Sequence, residues 1–123
     1  MFEEGDRVPS SFEITQHTRG DVAVVAIRGD ITPGQIEGVL SGRMMDLVEK
    51  GYRKLVLDLG GLPSIDSIGL GEIVRSFTTV TRKGAKMKLA SVPKRIVDLL
   101  RVTRLILAFE LAASEEEAVA AFQ

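Results

Sequence analysis

The chain has 123 residues, 45% of them apolar and 27% charged, with no cysteine; that is one ordinary globular domain, and it excludes a disordered tail, a coiled-coil rod, thiolate chemistry and disulfides. No apolar run approaches the roughly 18 residues that span a bilayer. The acidic start Met1-Phe2-Glu3-Glu4-Gly5-Asp6 lacks the basic-then-apolar order of a signal peptide, so a cytoplasmic protein is the expectation.

Residues 1–10 read as a loose lead-in and 11–123 as a single domain. Phe12-Glu13-Ile14-Thr15-Gln16 alternates, and after Arg19-Gly20-Asp21 the run Val22 to Ile27 is rich in β-branched residues, which predicts a hairpin. Thr32 and Pro33 suit the N-cap and first position of a helix. Ile36, Val39, Leu40, Met44, Leu47 and Val48 then mark one apolar face over 34–49. Gly34, Gly38 and Gly42 recur along it; close backbone approach and simple drift both account for them.

Leu55 to Leu59 is a short apolar run, predicted as a buried strand. Ile68, Ile73, Val74, Phe77 and Val80 trace a helix over 68–82, stopped by Gly84. Lys86 to Ala90 alternates as a strand, Pro93 opens a helix over 93–101, and Leu107 to Leu111 is the last predicted strand. Ser114-Glu115-Glu116-Glu117 has capping-box spacing and opens a helix to 122, with Ala118, Ala121 and Phe122 inward. The pattern predicts an α/β fold, with a mixed, mostly parallel sheet flanked by about four helices and one antiparallel edge strand.

The net charge of −1 hides an asymmetry. Residues 75–104 carry nine Lys and Arg against Asp98 alone, whereas the rest of the chain sums to −9. Such a block is either an anion-binding footprint or a set of solvated charges near helix C-termini. Single-strand binding also needs interleaved aromatics, and Phe77 stands alone here, so no direct nucleic-acid contact is expected.

Catalytic options are few. His17 is the one histidine, and strand alternation sets it with Glu13 and Thr15 on the solvent side. Asp58 and Asp66 have no recognisable metal-ligand spacing. Gly69 and Gly71 begin a G-x-G, but Val74 stands where the third glycine of a dinucleotide fingerprint belongs. No cofactor or metal is expected.

One constellation stands out: Ser64-Ile65-Asp66-Ser67-Ile68-Gly69-Leu70-Gly71, where a strand hands over to a helix. Such loops lie outside the carboxyl ends of strands, where α/β sheets place their functional groups. Asp66 and Ser67 are both good N-caps, so either one caps the helix. Ser67 also reads as a modifiable hydroxyl: a phosphate there gains from the helix N-terminus and changes the surface beside Asp66 by about two charges.

Leu55-Val56-Leu57-Asp58-Leu59, the glycine-containing turn, Ile65-Asp66-Ser67-Ile68-Gly69-Leu70-Gly71, and Lys83-Gly84-Ala85-Lys86 with Leu89 together resemble the STAS-domain anti-anti-sigma factors, or anti-sigma factor antagonists. The likeness runs from about Phe12 to Phe122 and includes Thr103-Arg104-Leu105 and Phe109. It implies a single STAS domain without catalysis of its own. It also implies partner switching: the unmodified protein binds an anti-sigma factor that is a serine kinase, and this releases the sigma factor. The kinase then phosphorylates the serine after the aspartate, matching Ser67, and a PP2C-type, metal-dependent phosphatase restores it. The positions implied to meet the partner are Asp30, Thr32, Ile65, Asp66, Ser67, Ile68 and Gly69. Three positions depart from the family pattern: Ile68 replaces a second hydroxyl, Thr32 an aspartate, and Arg104 a glycine.

The leading expectation is therefore a regulatory binding protein. The alternatives are a STAS scaffold or soluble transporter subunit in which Ser67 only caps a helix, and an anion or nucleic-acid binder using residues 75–104. Oligomeric state is left open.

Overall fold

A computed structural model describes residues 12–30 and 35–122. Strands β1 (Phe12–Arg19) and β2 (Val22–Gly29) form the hairpin, in register from Phe12 opposite Gly29 to Arg19 opposite Val22. Gly20 supplies the positive φ of 65° that so short a turn requires. Strands β3 (Lys54–Gly61), β4 (Lys86–Ala90) and β5 (Leu111–Ala112) follow, each parallel to its predecessor, in the order β1-β2-β3-β4-β5. Helices α1 (Val39–Glu49), α2 (Ser67–Arg82), α3 (Lys94–Val102) and α4 (Glu115–Ala120) connect or follow them. The mixed, mostly parallel sheet with four helices is the one the sequence pattern leads to.

Strand alternation divides the core into two. Ala23, Val25, Ile27, Leu55, Leu57, Leu59, Met87 and Leu89 point to one face, where α1, α2 and α3 cover them with Leu40, Met44, Ile73, Val80, Ile96 and Leu100. Val22, Val24, Val56 and Ala90 point to the other face, beneath Ala118 of α4. Leu55, Val56 and Leu57 are all fully buried, because a central parallel strand is covered on both sides.

Four expectations need correction. The first helix starts at Val39, well inside the predicted 34–49 span. Gly38 sits left-handed at φ 79° as its N-cap, while Ile36 is buried from a turn whose carbonyl accepts the Val39 N–H. Space around Gly38 and Gly42 is open, so close approach does not explain those glycines; Gly34 and the Thr32-Pro33 cap lie outside the described residues.

The last strand is not 107–111. A 3-10 turn occupies Leu105–Leu107, and only Leu111–Ala112 pair with β4. The left-handed Arg104 (φ 65°) turns the chain, and Phe109 then buries edge-on against Phe77, with ring centroids 4.9 Å apart, instead of extending. Finally, α4 stops at Ala120, which leaves Ala121 exposed, and Ile68 is 40% exposed on the first turn of α2 where the periodicity set it inward. The proposed lead-in, residues 1–10, lies outside the described residues.

Candidate functional site at the carboxyl edge of the sheet

The parallel strands share one carboxyl edge, and β3 sits at its centre. There Asp58 Oδ1 accepts the Gly60 N–H at 2.8 Å, a local turn bond. Gly61 follows against the end of β2, where a Cβ would stand 2.4 Å from the Arg28 Cβ. Only glycine lets the strands come that close, and the ladder slips between Ala26 and Arg28 at this point. Leu62 is buried and Ile65 half-buried against the core, so the loop is pinned at two points.

Between those anchors and α2, Asp66 takes an extended backbone (φ −98°, ψ −173°) and its Oδ1 accepts the Gly69 N–H at 2.9 Å. Asp66 is therefore the N-cap. Ser67 is the first helical residue and is exposed. Of the two caps the sequence allowed, the aspartate takes the role, and this removes the ground for reading Ser67 as a helix cap. A Cβ on Gly69 would lie 3.3 Å from the Ile65 Cβ, so glycine suits the place where Ile65 folds back under the helix.

The structure thus gathers Ile65, Asp66, Ser67, Ile68 and Gly69 into one loop and helix turn, with Asp66, Ser67 and Ile68 facing solvent and Gly69 buried. Asp30 is exposed just beyond the carboxyl end of β2. Thr32 lies outside the described residues.

Sequence reasoning missed Glu72. This carboxylate is 2% exposed on α2, and its Oε2 accepts the backbone N–H of Ser41 at 2.7 Å. Ser41 lies in the first turn of α1, whose N-cap Gly38 has no side chain to offer. Glu72 therefore caps α1 from the neighbouring helix and fixes the two helix starts side by side. Arg75 Nε lies 3.5 Å from the other oxygen, Oε1, which has no hydrogen bond among the described residues. The available signal was a glutamate at an inward position of the α2 pattern, between Leu70, Ile73 and Ser76.

His17 is exposed on β1 as expected, with Nε2 2.7 Å from Glu115 Oε2, which also accepts from Arg19 at 2.9 Å. These contacts tie α4 to β1 and lie away from Ser67. Among the described residues no group of three or more His, Cys, Asp and Glu side chains could hold a metal ion, and no helix is long and apolar enough to cross a membrane.

A single α/β domain with an exposed serine behind an aspartate cap agrees with the comparison to known families: the STAS domain model matches residues 13–118, and the chain belongs to that family. A Thermotoga neapolitana protein named as an anti-sigma factor antagonist is 37% identical over 60 residues, which cover 49% of this chain and about half (53%) of that relative. BtrV of Bordetella bronchiseptica, also named as an anti-sigma factor antagonist, is 24% identical over 111 residues, 90% of this chain and 95% of the relative. Among solved structures, the Bacillus cell fate determinant SpoIIAA in its phosphorylated form superposes with a TM-score of 0.67 at 16% identity, covering 92% of this chain and 100% of that one.

Proposed function

We propose that this chain is an anti-sigma factor antagonist that works by partner switching, with Ser67 as its phosphorylated residue. The carrying observation is the position of Ser67: exposed, first in α2, directly after the capping Asp66, on the carboxyl edge of the sheet. The relatives' names support the role, and the helix geometry supports the chemistry. A phosphoryl group on Ser67 would lie at the positive end of a 16-residue helix, whose first N–H groups have no intrahelical acceptor. The unmodified serine contributes a neutral hydroxyl between Asp66 and Ile68; the phosphorylated state adds about two negative charges beside Asp66.

In this reading the unmodified protein binds an anti-sigma factor serine kinase through Asp30, Thr32 and residues 65–69, and the bound kinase lets go of its sigma factor. Phosphorylation of Ser67 reverses the binding, and a PP2C-type phosphatase resets it. The chain contributes a binding surface and a hydroxyl, with no catalysis of its own, and acts in the cytoplasm. Ile68, where the resembled family has a second hydroxyl, adds an apolar contact and leaves Ser67 as the sole hydroxyl of the first turn.

The test is to isolate the anti-sigma factor that unmodified protein retains, then measure its affinity for wild type, Ser67→Asp and enzymatically phosphorylated protein. Weaker binding of the last two is expected, with no phosphate taken up by Ser67→Ala. Equal affinity of all three forms would remove the switch and leave the chain as a scaffold.

A further inference from the structure

Within the basic block of residues 75–104, Arg75, Lys88 and Lys94 pair with Glu72, Glu110 and Asp98, whereas Arg82, Lys83, Lys86, Arg101 and Arg104 gather at the amino edge. Helix α3 starts just after β4 ends and runs back toward the amino edge, where its last turn meets the 3-10 turn. There Val102 and Leu107 are each 81% exposed, the most exposed large apolar side chains among the described residues. With Arg101, Arg104 and Ile106 they line a groove of about 390 Å3. A smaller cleft lined by Thr81, Lys86, Ala108 and Glu110 adjoins this turn; Glu110 is paired with Lys88, and the cations at the end of α2, Arg82 and Lys83, continue the basic edge.

Helix capping does not account for this arrangement. The Thr103 hydroxyl already donates toward the Leu99 and Leu100 carbonyls, at 2.8 and 3.2 Å, and the Arg104 N–H donates to the Arg101 carbonyl at 3.0 Å. Arg104 itself holds φ 65°, a left-handed conformation that glycine would adopt without strain. Arg104 is thus an exposed arginine held in a left-handed conformation beside two exposed aliphatic side chains, the kind of outlier that prompts a functional reading.

We propose that this amino-edge groove docks an acidic protein segment, one that seats a large apolar side chain between Val102 and Leu107 and sets carboxylates against Arg101 and Arg104. Charge complementarity selects the acidic partner, since Arg82, Lys83 and Lys86 extend the positive field around the groove. Nucleic acid is disfavoured because the groove offers no aromatic face for a base, and aliphatic side chains gain nothing against phosphates. The groove stands at the opposite edge of the sheet from Ser67, so both surfaces can be occupied together.

The probe is a fluorescent helical peptide with leucines on one face and glutamates on the other, titrated onto the full chain. Leu107→Ser and Arg104→Gly should each weaken it about tenfold, in the range of an interface anchor. Arg104→Gly should at the same time keep or raise the denaturation midpoint, a combination that a purely structural arginine would not produce. Ser67→Asp should leave the peptide affinity unchanged. Unaltered affinity in both groove variants overturns the proposal. So does tighter binding of phosphatidylserine vesicles or of a single-stranded oligonucleotide than of the peptide. A dimer on gel filtration that Leu107→Ser dissolves, with no peptide binding, would assign the groove to a second copy of the chain and overturn it equally.

Discussion

Ser67→Ala should leave stability within about 0.5 kcal/mol of wild type, the usual range for an exposed position, because Asp66 makes the capping bond. Asp66→Ala should cost about 1 kcal/mol, since it strands the Gly69 N–H. Urea denaturation of the two variants checks the pair; an equal loss in both would mean that the serine shares the cap. Glu72 sets a second contrast. Glu72→Ala removes the acceptor of the Ser41 N–H and should cost about 1–3 kcal/mol, whereas Glu72→Gln keeps a carbonyl oxygen there and should cost less. Because that bond joins the starts of α1 and α2, Glu72→Ala should also loosen the first turn of α1, read as faster amide exchange at Ser41. Little of this was legible in the sequence: an aspartate and a serine side by side both satisfy a capping rule, and only the backbone torsions of the folded loop choose between them.

Among the elements, α4 is the shortest helix and packs alone on its face of the sheet. Its first turn is held by Glu115. Partial burial raises the pKa of that carboxyl, but hydrogen bonds from His17 and Arg19 outweigh the effect, and the net shift is downward. A carboxylate with a lowered folded pKa adds stability above its unfolded value, about 4.3, and loses it as pH falls through the folded value. Glu115→Gln should therefore cost up to about 1 kcal/mol at neutral pH, given its partly exposed partners. The gap from wild type should close as the pH falls through the lowered folded pKa of Glu115, where the wild-type carboxyl becomes as uncharged as the glutamine. Thermal midpoints of the two proteins across that range test it; a gap that persists at low pH would point to packing rather than charge. Element ends were the least legible feature. Periodicity carried the first helix back to residue 34 and the last strand forward from Leu107, but a left-handed Gly38 and a left-handed Arg104 set the real boundaries. A positive φ leaves no mark on an apolar pattern.

At the scale of the molecule, Leu57 lies at the centre of β3, fully buried, whereas Lys86 is exposed at the amino edge. Leu57→Ala should cost about 2–5 kcal/mol through lost burial and an unfilled cavity, and Lys86→Ala less than about 0.5 kcal/mol. Comparable shifts in denaturation midpoint would mean that the strand faces are misassigned. The fold also sorts function by edge: the carboxyl edge carries Asp30, Asp66 and Ser67, and the amino edge gathers the cations at the ends of α2 and α3.

The sequence by itself determined the order and type of the main elements, the apolar faces of the central strands, and the loop that presents Ser67. These depend on side-chain periodicity and local turn chemistry, which are written residue by residue. The tertiary structure decided that Asp66 caps and Ser67 stays exposed, that Glu72 spans two helices, and that Phe109 buries while Val102 and Leu107 face water. Each of those outcomes depends on which atoms a neighbouring element brings within bonding distance. Chain order does not encode that proximity until the sheet has assembled.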